Sequence, residues 1–236
     1  DTAERLAASD VYKRQVHAIK QGRIIFKNIQ EFVIYLLSCN MSELLVVSLA
    51  ALSNLHFQLL PLQILFINLV TDVLPALALG VSDGNPLVMK HKPRNPAEPL
   101  LKTKQWYAVW VYAAIISLCT LGAVFVSHFL VHAGTAFDPR LCNNILFFTL
   151  IFCQLFHVFN MASVNVSFFK SEVFRNKFVW YALITCLVII GFAFFISPVR
   201  AALNIQPLIA ADWLVVLASS LFSLLVIQVL KRTNMI

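Results

Sequence analysis

Six long apolar segments dominate the chain, and short polar stretches separate them. Each segment is long enough to cross the hydrocarbon core of a bilayer, which is about 30 Å thick and requires about 20 helical residues. The segments cover approximately residues 29–52, 60–81, 106–130, 144–163, 178–197 and 213–230. The pattern predicts an all-α fold, a polytopic membrane bundle of six transmembrane helices.

Composition supports this assignment. Hydrophobic residues make up 60% of the chain and charged residues 12%, and the mean hydropathy is +0.81. These values exclude an ordinary soluble domain.

The basic residues are distributed unequally between the two predicted sides of the membrane. Sixteen of the 18 Lys and Arg residues lie before the first segment, after the last, or in the loops 82–105 and 164–177. Only Arg140 and Arg200 lie in the remaining loops. By the positive-inside rule, both termini are predicted to be cytoplasmic. The net charge of +7 therefore reports topology, and we expect a lipid bilayer as a partner and no nucleic acid.

The first two segments carry polar residues in their middles. A carboxylate at bilayer depth costs a few kcal/mol, so two of them on adjacent segments require a reason. The spacings of three and four residues place each set on one helical face, and the short connection 54–61 favours a tight hairpin that lets the two faces meet. Both carboxylates lie roughly 17 Å from this hairpin, near the bilayer midplane. The residues concerned are Asn40, Glu43, Asn68, Thr71 and Asp72.

These five side chains offer oxygen ligands, and hard cations prefer such ligands. No Cys or His is predicted to join them. Pro75 removes one helical hydrogen bond and would free a carbonyl near Thr71 as a further ligand. The alternative is a polar seam that holds two helices together, but a seam explains the Asn and Thr residues more easily than Glu43 and Asp72. We therefore predict an intramembrane metal site.

Other polar residues lie in the third and fourth segments. Gln154, His157 and Asn160 are spaced by three residues and are predicted to face the bundle interior. His128 and His132 are four residues apart, but two ligands alone are weak evidence for a metal, and we expect an interfacial pair.

Four motifs, taken in order, resemble P-type cation-transporting ATPases of the calcium-pump subfamily. Residues 38–43 and 65–80 are similar to the fifth and sixth membrane helices of that family, residues 22–29 to the entry into the fifth helix, and residues 92–100 to the loop after the sixth. The resemblance covers residues 16–236 and implies the C-terminal membrane domain, with the fifth to tenth helices. Residues 1–15 are polar and do not match. We interpret them as unrelated sequence, with a divergent linker as the alternative.

The resemblance also implies roles for the candidate ligands. Asp72 would be the central ligand of the transported calcium ion, with Asn40, Glu43, Asn68 and Thr71 around it, and manganese or another cation is the alternative. In the family, the helix that corresponds to the fourth apolar segment of this chain contributes a glutamate ligand. Aligning Thr149 and Cys153 with the family pattern places Met161 at that position, which puts one of the family's two calcium sites in doubt.

The chain contains no Asp-Lys-Thr-Gly-Thr phosphorylation motif, no Thr-Gly-Glu motif and no Gly-Asp-Gly motif. The resemblance therefore implies a membrane half that does not hydrolyse ATP alone. ATP and magnesium would act only in a complete pump, whose missing N-terminal portion, including the fourth helix, would be the partner of this chain. A stand-alone, non-enzymatic membrane protein is the alternative. The short loops are compatible with a bacterial plasma membrane.

Overall fold

The computed structural model describes residues 2–53, 55, 57–83, 86–90, 98–162, 171–233 and 235, with the side chains of residues 2–11, 86 and 87 excepted. The regular structure in these ranges is helical. The α-helices are α1 (Thr2–Leu52), α2 (Pro61–Phe66), α3 (Val73–Gly80), α4 (Thr103–Val126), α5 (Pro139–His157), α6 (Glu172–Arg175), α7 (Lys177–Phe195), α8 (Ser197–Ala202) and α9 (Ala210–Arg232).

Six helical stretches are long and apolar enough to cross a membrane, which confirms the predicted all-α bundle of six spans. They are Tyr12–Leu52, Pro61–Gly80, Thr103–Val131, Pro139–Met161, Lys177–Phe195 and Ala210–Arg232. The first is longer than predicted because α1 continues through the polar residues before the apolar segment. The motif predicted at 92–100 lies largely outside the described residues.

Helix α5 forms the centre of the bundle. All residues from 142 to 151 are buried, and Phe148 packs on Phe194 of α7 and Trp213 of α9 with ring centroids 5.2 and 5.1 Å apart. Helices α7 and α9, in contrast, leave much of their apolar surface exposed. An apolar surface of this kind is compatible with lipid.

The second span contains a widened helical turn. Residues Ile67–Asp72 form a π-helical turn between α2 and α3. Pro75 follows in α3, where it has no N–H to donate and its ring would clash with the carbonyl four residues earlier, at Thr71. The proline thus explains why the regular helix is interrupted here. Single π turns inside α-helices frequently occur at functional sites.

The two ends of the bundle differ in chemistry. We call the end with residues 53, 55 and 57–60 the hairpin end, and the end with Lys27 and Lys231 the basic end. At the basic end, Lys27 lies 3.3 Å from Glu31 and 3.2 Å from Glu172. Lys231 donates hydrogen bonds to the backbone carbonyls of Asn160 and Ala162. These contacts tie the middle of α1 to α6, and the end of α9 to the turn that follows α5.

Candidate cation site

The hairpin of the first two spans brings four predicted ligands together, and three of them are buried inside the bundle, whereas Asn68 is partly buried. The exposed fraction is 5% for Glu43, 0% for Thr71 and 1% for Asp72. Glu43 extends from α1, whereas Thr71 and Asp72 belong to the π turn. Both carboxylates therefore face the protein interior and are turned away from the surface.

Glu43 is held by two side-chain amides. Its Oε2 atom accepts a hydrogen bond of 2.7 Å from Asn68 Nδ2, and its Oε1 atom accepts one of 3.1 Å from Gln154 Nε2. Asn68 Nδ2 also donates to the carbonyl of Ile64, 3.0 Å away. These bonds link Glu43 of α1 to the π turn and to α5, and they fix the position of its carboxylate.

Asp72 differs from Glu43 because neither of its carboxylate oxygens has a hydrogen-bond partner. Burying an ionised carboxylate without a partner is strongly unfavourable. A positive charge at this position would compensate for that cost. Among the described residues, no three His, Cys, Asp or Glu side chains lie close enough together to hold a metal ion. A hard cation bound here would therefore also need amide, hydroxyl or carbonyl oxygens.

Tyr35 connects the three helices around the site. It is fully buried, and its hydroxyl lies 3.1 Å from the carbonyl of Gln154 and 3.5 Å from that of Thr71. The ring also stacks on His157, with centroids 5.9 Å apart. The carbonyl that Pro75 was predicted to free thus contacts the hydroxyl of Tyr35. The hydroxyl of Thr71 donates to the carbonyl of Ile67, 2.8 Å away.

Asn40 does not join the other predicted ligands, because it is exposed. Residues three apart on a helix differ in direction by about 60°. The buried stripe of α1 contains Tyr35, Cys39 and Glu43, whereas Asn40 and Leu44 lie outside it. Spacing alone predicted that Asn40 and Glu43 share a face, but in the structure the covered face includes only Glu43.

Cys39 is a site residue that the sequence reasoning missed. Its side chain is fully buried, and its thiol neighbours the carboxylate of Asp72 and the hydroxyl of Tyr35. No Cys was predicted beside these residues, and whether the thiol ligates a cation stays a prediction. The available signal was the spacing of four residues from Cys39 to both Tyr35 and Glu43, which places the three residues along one stripe.

Gln154, and not Met161, is the residue of the fourth span that contacts Glu43. Gln154 is fully buried and donates to the carboxylate. Met161 ends the 3₁₀ turn after α5, seven residues further along and about 10 Å away on a helix. Met161, where the alignment placed the family's glutamate, therefore lies outside the contact with Glu43, and Gln154 occupies it. The predicted inward orientation of Gln154, His157 and Asn160 is confirmed, since all three are buried.

A third buried carboxylate lies outside this site. Asp212 is fully buried in the first turn of α9. Its Oδ1 atom accepts a 2.7 Å hydrogen bond from the hydroxyl of Ser127 and lies 3.0 Å from His132 Nε2. The two histidines contact different groups, because His128 packs against the rings of Phe129 and Phe137. Sequence reasoning missed Asp212 because the predicted span began one residue later.

Six membrane-length helices around two buried carboxylates define a multi-pass membrane protein with a candidate cation site. Residues 57–233 match the family described as "Cation transporting ATPase, C-terminus", and the chain belongs to this family.

Two relatives support the assignment. The chain is 32% identical over 241 residues to "Calcium-transporting ATPase 1" of Bacillus cereus, a match that covers 97% of this chain and 27% of the relative. It is 34% identical over 203 residues to "Calcium-transporting ATPase" of Bacillus subtilis, covering 86% of this chain and 22% of the relative. The chain thus spans about a quarter of the length of these relatives. The resemblance to the C-terminal region of calcium-type P-type ATPases is confirmed.

Proposed function

We propose that this chain is the membrane half of an ATP-driven P-type pump for calcium and supplies part of its intramembrane cation site. The observation that carries the proposal is Asp72, a buried carboxylate whose two oxygens have no hydrogen-bond partner, next to Glu43. We use "complete pump" for the polypeptide that joins this chain to the missing N-terminal portion.

Ligand chemistry supports calcium as the cargo. Carboxylate, amide and hydroxyl oxygens suit a hard cation that accepts six to eight ligands, and magnesium would retain more of its waters. The relatives from Bacillus cereus and Bacillus subtilis are named as calcium-transporting ATPases. Both considerations favour calcium.

In this proposal, Asp72 is the central ligand and Glu43 the second carboxylate. Asn68 now points its amide nitrogen at Glu43. A half-turn of the amide would direct its oxygen to a cation, because the group carries a donor and an acceptor on opposite sides. Thr71 would add its hydroxyl oxygen. The amides of Asn68 and Gln154 keep the carboxylate of Glu43 in place until the cation arrives.

Asn40 would complete the site from the exposed face of α1. No described helix covers that face at Asn40, and we assign the missing N-terminal portion to it, with the fourth helix of the family supplying further ligands. ATP and magnesium would act on that portion. The basic end would face the cytoplasm of a bacterial plasma membrane, in agreement with the positive-inside rule.

The proposal is tested by calcium uptake. Inverted membrane vesicles that contain the complete pump are expected to accumulate radioactive calcium when ATP and magnesium are supplied, and to release it when a calcium ionophore is added. Vesicles that take up no calcium above the level of a pump-free control would contradict the proposal. Vesicles that take up neither calcium nor manganese would favour a stand-alone, non-enzymatic membrane protein.

Manganese is a second candidate cargo, and the position of Cys39 favours it. Cys39 neighbours Asp72, and its thiol would have to release a proton to the solvent or to a carboxylate when a metal binds, because the thiolate is the ligating form. A thiolate is a softer donor than the surrounding oxygens, and softer ligands shift preference from calcium towards transition metals. We expect Cys39→Ser to lower the apparent affinity for manganese by about fivefold and to change that for calcium by less than about twofold. The measurement is the metal dependence of phosphorylation by ATP in the complete pump.

Cys153→Ser is the matched control, because Cys153 is also buried and lies in α5, where its thiol neighbours Ser220 and Thr120 and not a carboxylate. This control is expected to leave both affinities unchanged. An equal loss of calcium and manganese affinity in Cys39→Ser would show that the thiol does not contribute to selectivity.

A further inference from the structure

A cluster of amide side chains at the hairpin end ties three parts of the chain together. Gln63 and Asn143 exchange two hydrogen bonds, with Gln63 Nε2 2.8 Å from Asn143 Oδ1 and Asn143 Nδ2 3.0 Å from Gln63 Oε1. Gln63 Nε2 also donates to the carbonyl of Leu203, 2.9 Å away. We call Gln63 and Asn143 the amide clasp.

The clasp also fixes the start of the second span. Gln63 Oε1 accepts a 2.9 Å hydrogen bond from the backbone N–H of Leu60, directly before α2. Asn143 Nδ2 also donates to the carbonyl of Gln58, in the hairpin itself. Gln63 is fully buried and Asn143 is 5% exposed, so the hydrogen-bonding groups of the clasp have little access to water. An amide pair in such a position strongly favours one arrangement, because separation leaves several polar groups unsatisfied.

The next residue of α5 strengthens the attachment. Asn144 Nδ2 donates to the carbonyl of Asn204, 3.1 Å away, and Asn144 Oδ1 accepts from the backbone N–H of Gln206 at 3.0 Å. The connection between α8 and α9 is therefore bonded to the same end of α5. Because α5 is the central helix, the clasp attaches α2 to the most buried part of the bundle.

The clasp lies close to the candidate cation site along the chain. The carbonyl of Ile64, the residue after Gln63, accepts the hydrogen bond from Asn68, which in turn donates to Glu43. The π turn begins at Ile67. The fixed segment α2 thus ends directly at the turn that carries Asn68, Thr71 and Asp72.

We propose that Gln63 is a positioning residue for the cation site. The clasp holds α2 against α5, so that the rearrangements of the second span during transport occur in the π turn and α3, while the hairpin end stays in place. This inference rests on the proposed function, because it concerns the geometry in which the cation is bound. Without the clasp, α2 is no longer held against α5, so the positions of Asn68 and of the π turn vary. The ligands then adopt the geometry that binds the cation less often.

The test compares Gln63→Leu with Gln228→Leu in the complete pump. Gln228 is a partly buried amide at the basic end that donates to the carbonyl of Phe159 and to Asn160 Oδ1. Phosphorylation by ATP is measured over a range of calcium concentrations. Gln63→Leu is expected to lower the apparent calcium affinity by at least about fivefold while the maximal phosphoenzyme per folded pump is retained, whereas Gln228→Leu stays within about twofold of wild type.

A swapped pair keeps the test decisive if Gln63→Leu does not fold. Gln63→Asn alone is expected to weaken calcium binding, and Gln63→Asn combined with Asn143→Gln to restore it, because the swap preserves the total length of the two side chains. Unchanged calcium affinity in both Gln63→Leu and Gln63→Asn would overturn the inference, as would an equal loss in Gln228→Leu. If the wild-type pump forms no calcium-dependent phosphoenzyme, the proposed function fails. If the wild type does and the Gln63 variants equal it, only the positioning role fails.

Discussion

Asp72→Asn is expected to abolish calcium-dependent phosphorylation by ATP in the complete pump. The substitution removes the negative charge and replaces one carboxylate oxygen by an amide nitrogen, at a buried position where neither oxygen has a hydrogen-bond partner. An amide offers a cation much less electrostatic stabilisation than a carboxylate. The measurement is the amount of phosphoenzyme formed from labelled ATP with and without calcium. Phosphoenzyme at the wild-type level would refute the role of Asp72.

Asp212→Asn provides the matched control. Asp212 is also fully buried, but its Oδ1 atom accepts a hydrogen bond from Ser127 and lies beside His132. An asparagine retains an oxygen that accepts the bond from Ser127, so this variant is expected to keep calcium-dependent phosphorylation. Loss of phosphorylation in both variants would show that the carboxylates of Asp72 and Asp212 are both needed for folding. The effect of Asp72→Asn would then carry no information about calcium.

Gln154→Glu is expected to raise the calcium stoichiometry of the complete pump from about one towards about two ions. Gln154 Nε2 lies 3.1 Å from Glu43 Oε1, so a glutamate at this position would form, with Glu43, a second pair of carboxylates that can hold an additional cation. In the absence of calcium the two like charges destabilise each other, which increases the gain when the cation binds. The stoichiometry is measured by titrating the purified pump with radioactive calcium.

Met161→Glu also introduces a glutamate on the fourth span, seven residues after Gln154. It is expected to leave the stoichiometry unchanged, because Glu43 accepts its α5 hydrogen bond from Gln154. An increase with Met161→Glu but not with Gln154→Glu would support the original alignment and contradict the geometry of the site.

The architecture could be predicted from the sequence because bilayer-length apolar runs leave few alternatives. Each backbone polar group in a membrane must be satisfied internally, and a helix does this within one segment. All six spans were predicted on this basis. Their ends were less certain, since α1 continues into polar residues and the sixth span starts early enough to include Asp212.

The site was predictable only in part, because spacing fixes the angle between residues of one helix but not the direction from which neighbouring helices approach. Glu43 and Asp72 carried a clear signal, since it costs free energy to place a charged side chain in the hydrocarbon core of a bilayer. Whether Asn40 or Cys39 accompanies Glu43 depends on which side of α1 is covered. The contact of Gln154 with Glu43 depends on the register between α5 and α1, and no local pattern reports that register.

The central claim is that Glu43 and Asp72 hold one cation between α1 and the π turn. The most direct measurement is equilibrium binding of radioactive calcium to the purified complete pump, comparing wild type with Glu43→Gln and with Asp212→Asn. We predict calcium binding in wild type and in Asp212→Asn, and its loss in Glu43→Gln at the same calcium concentration. Undiminished binding in Glu43→Gln would contradict the claim.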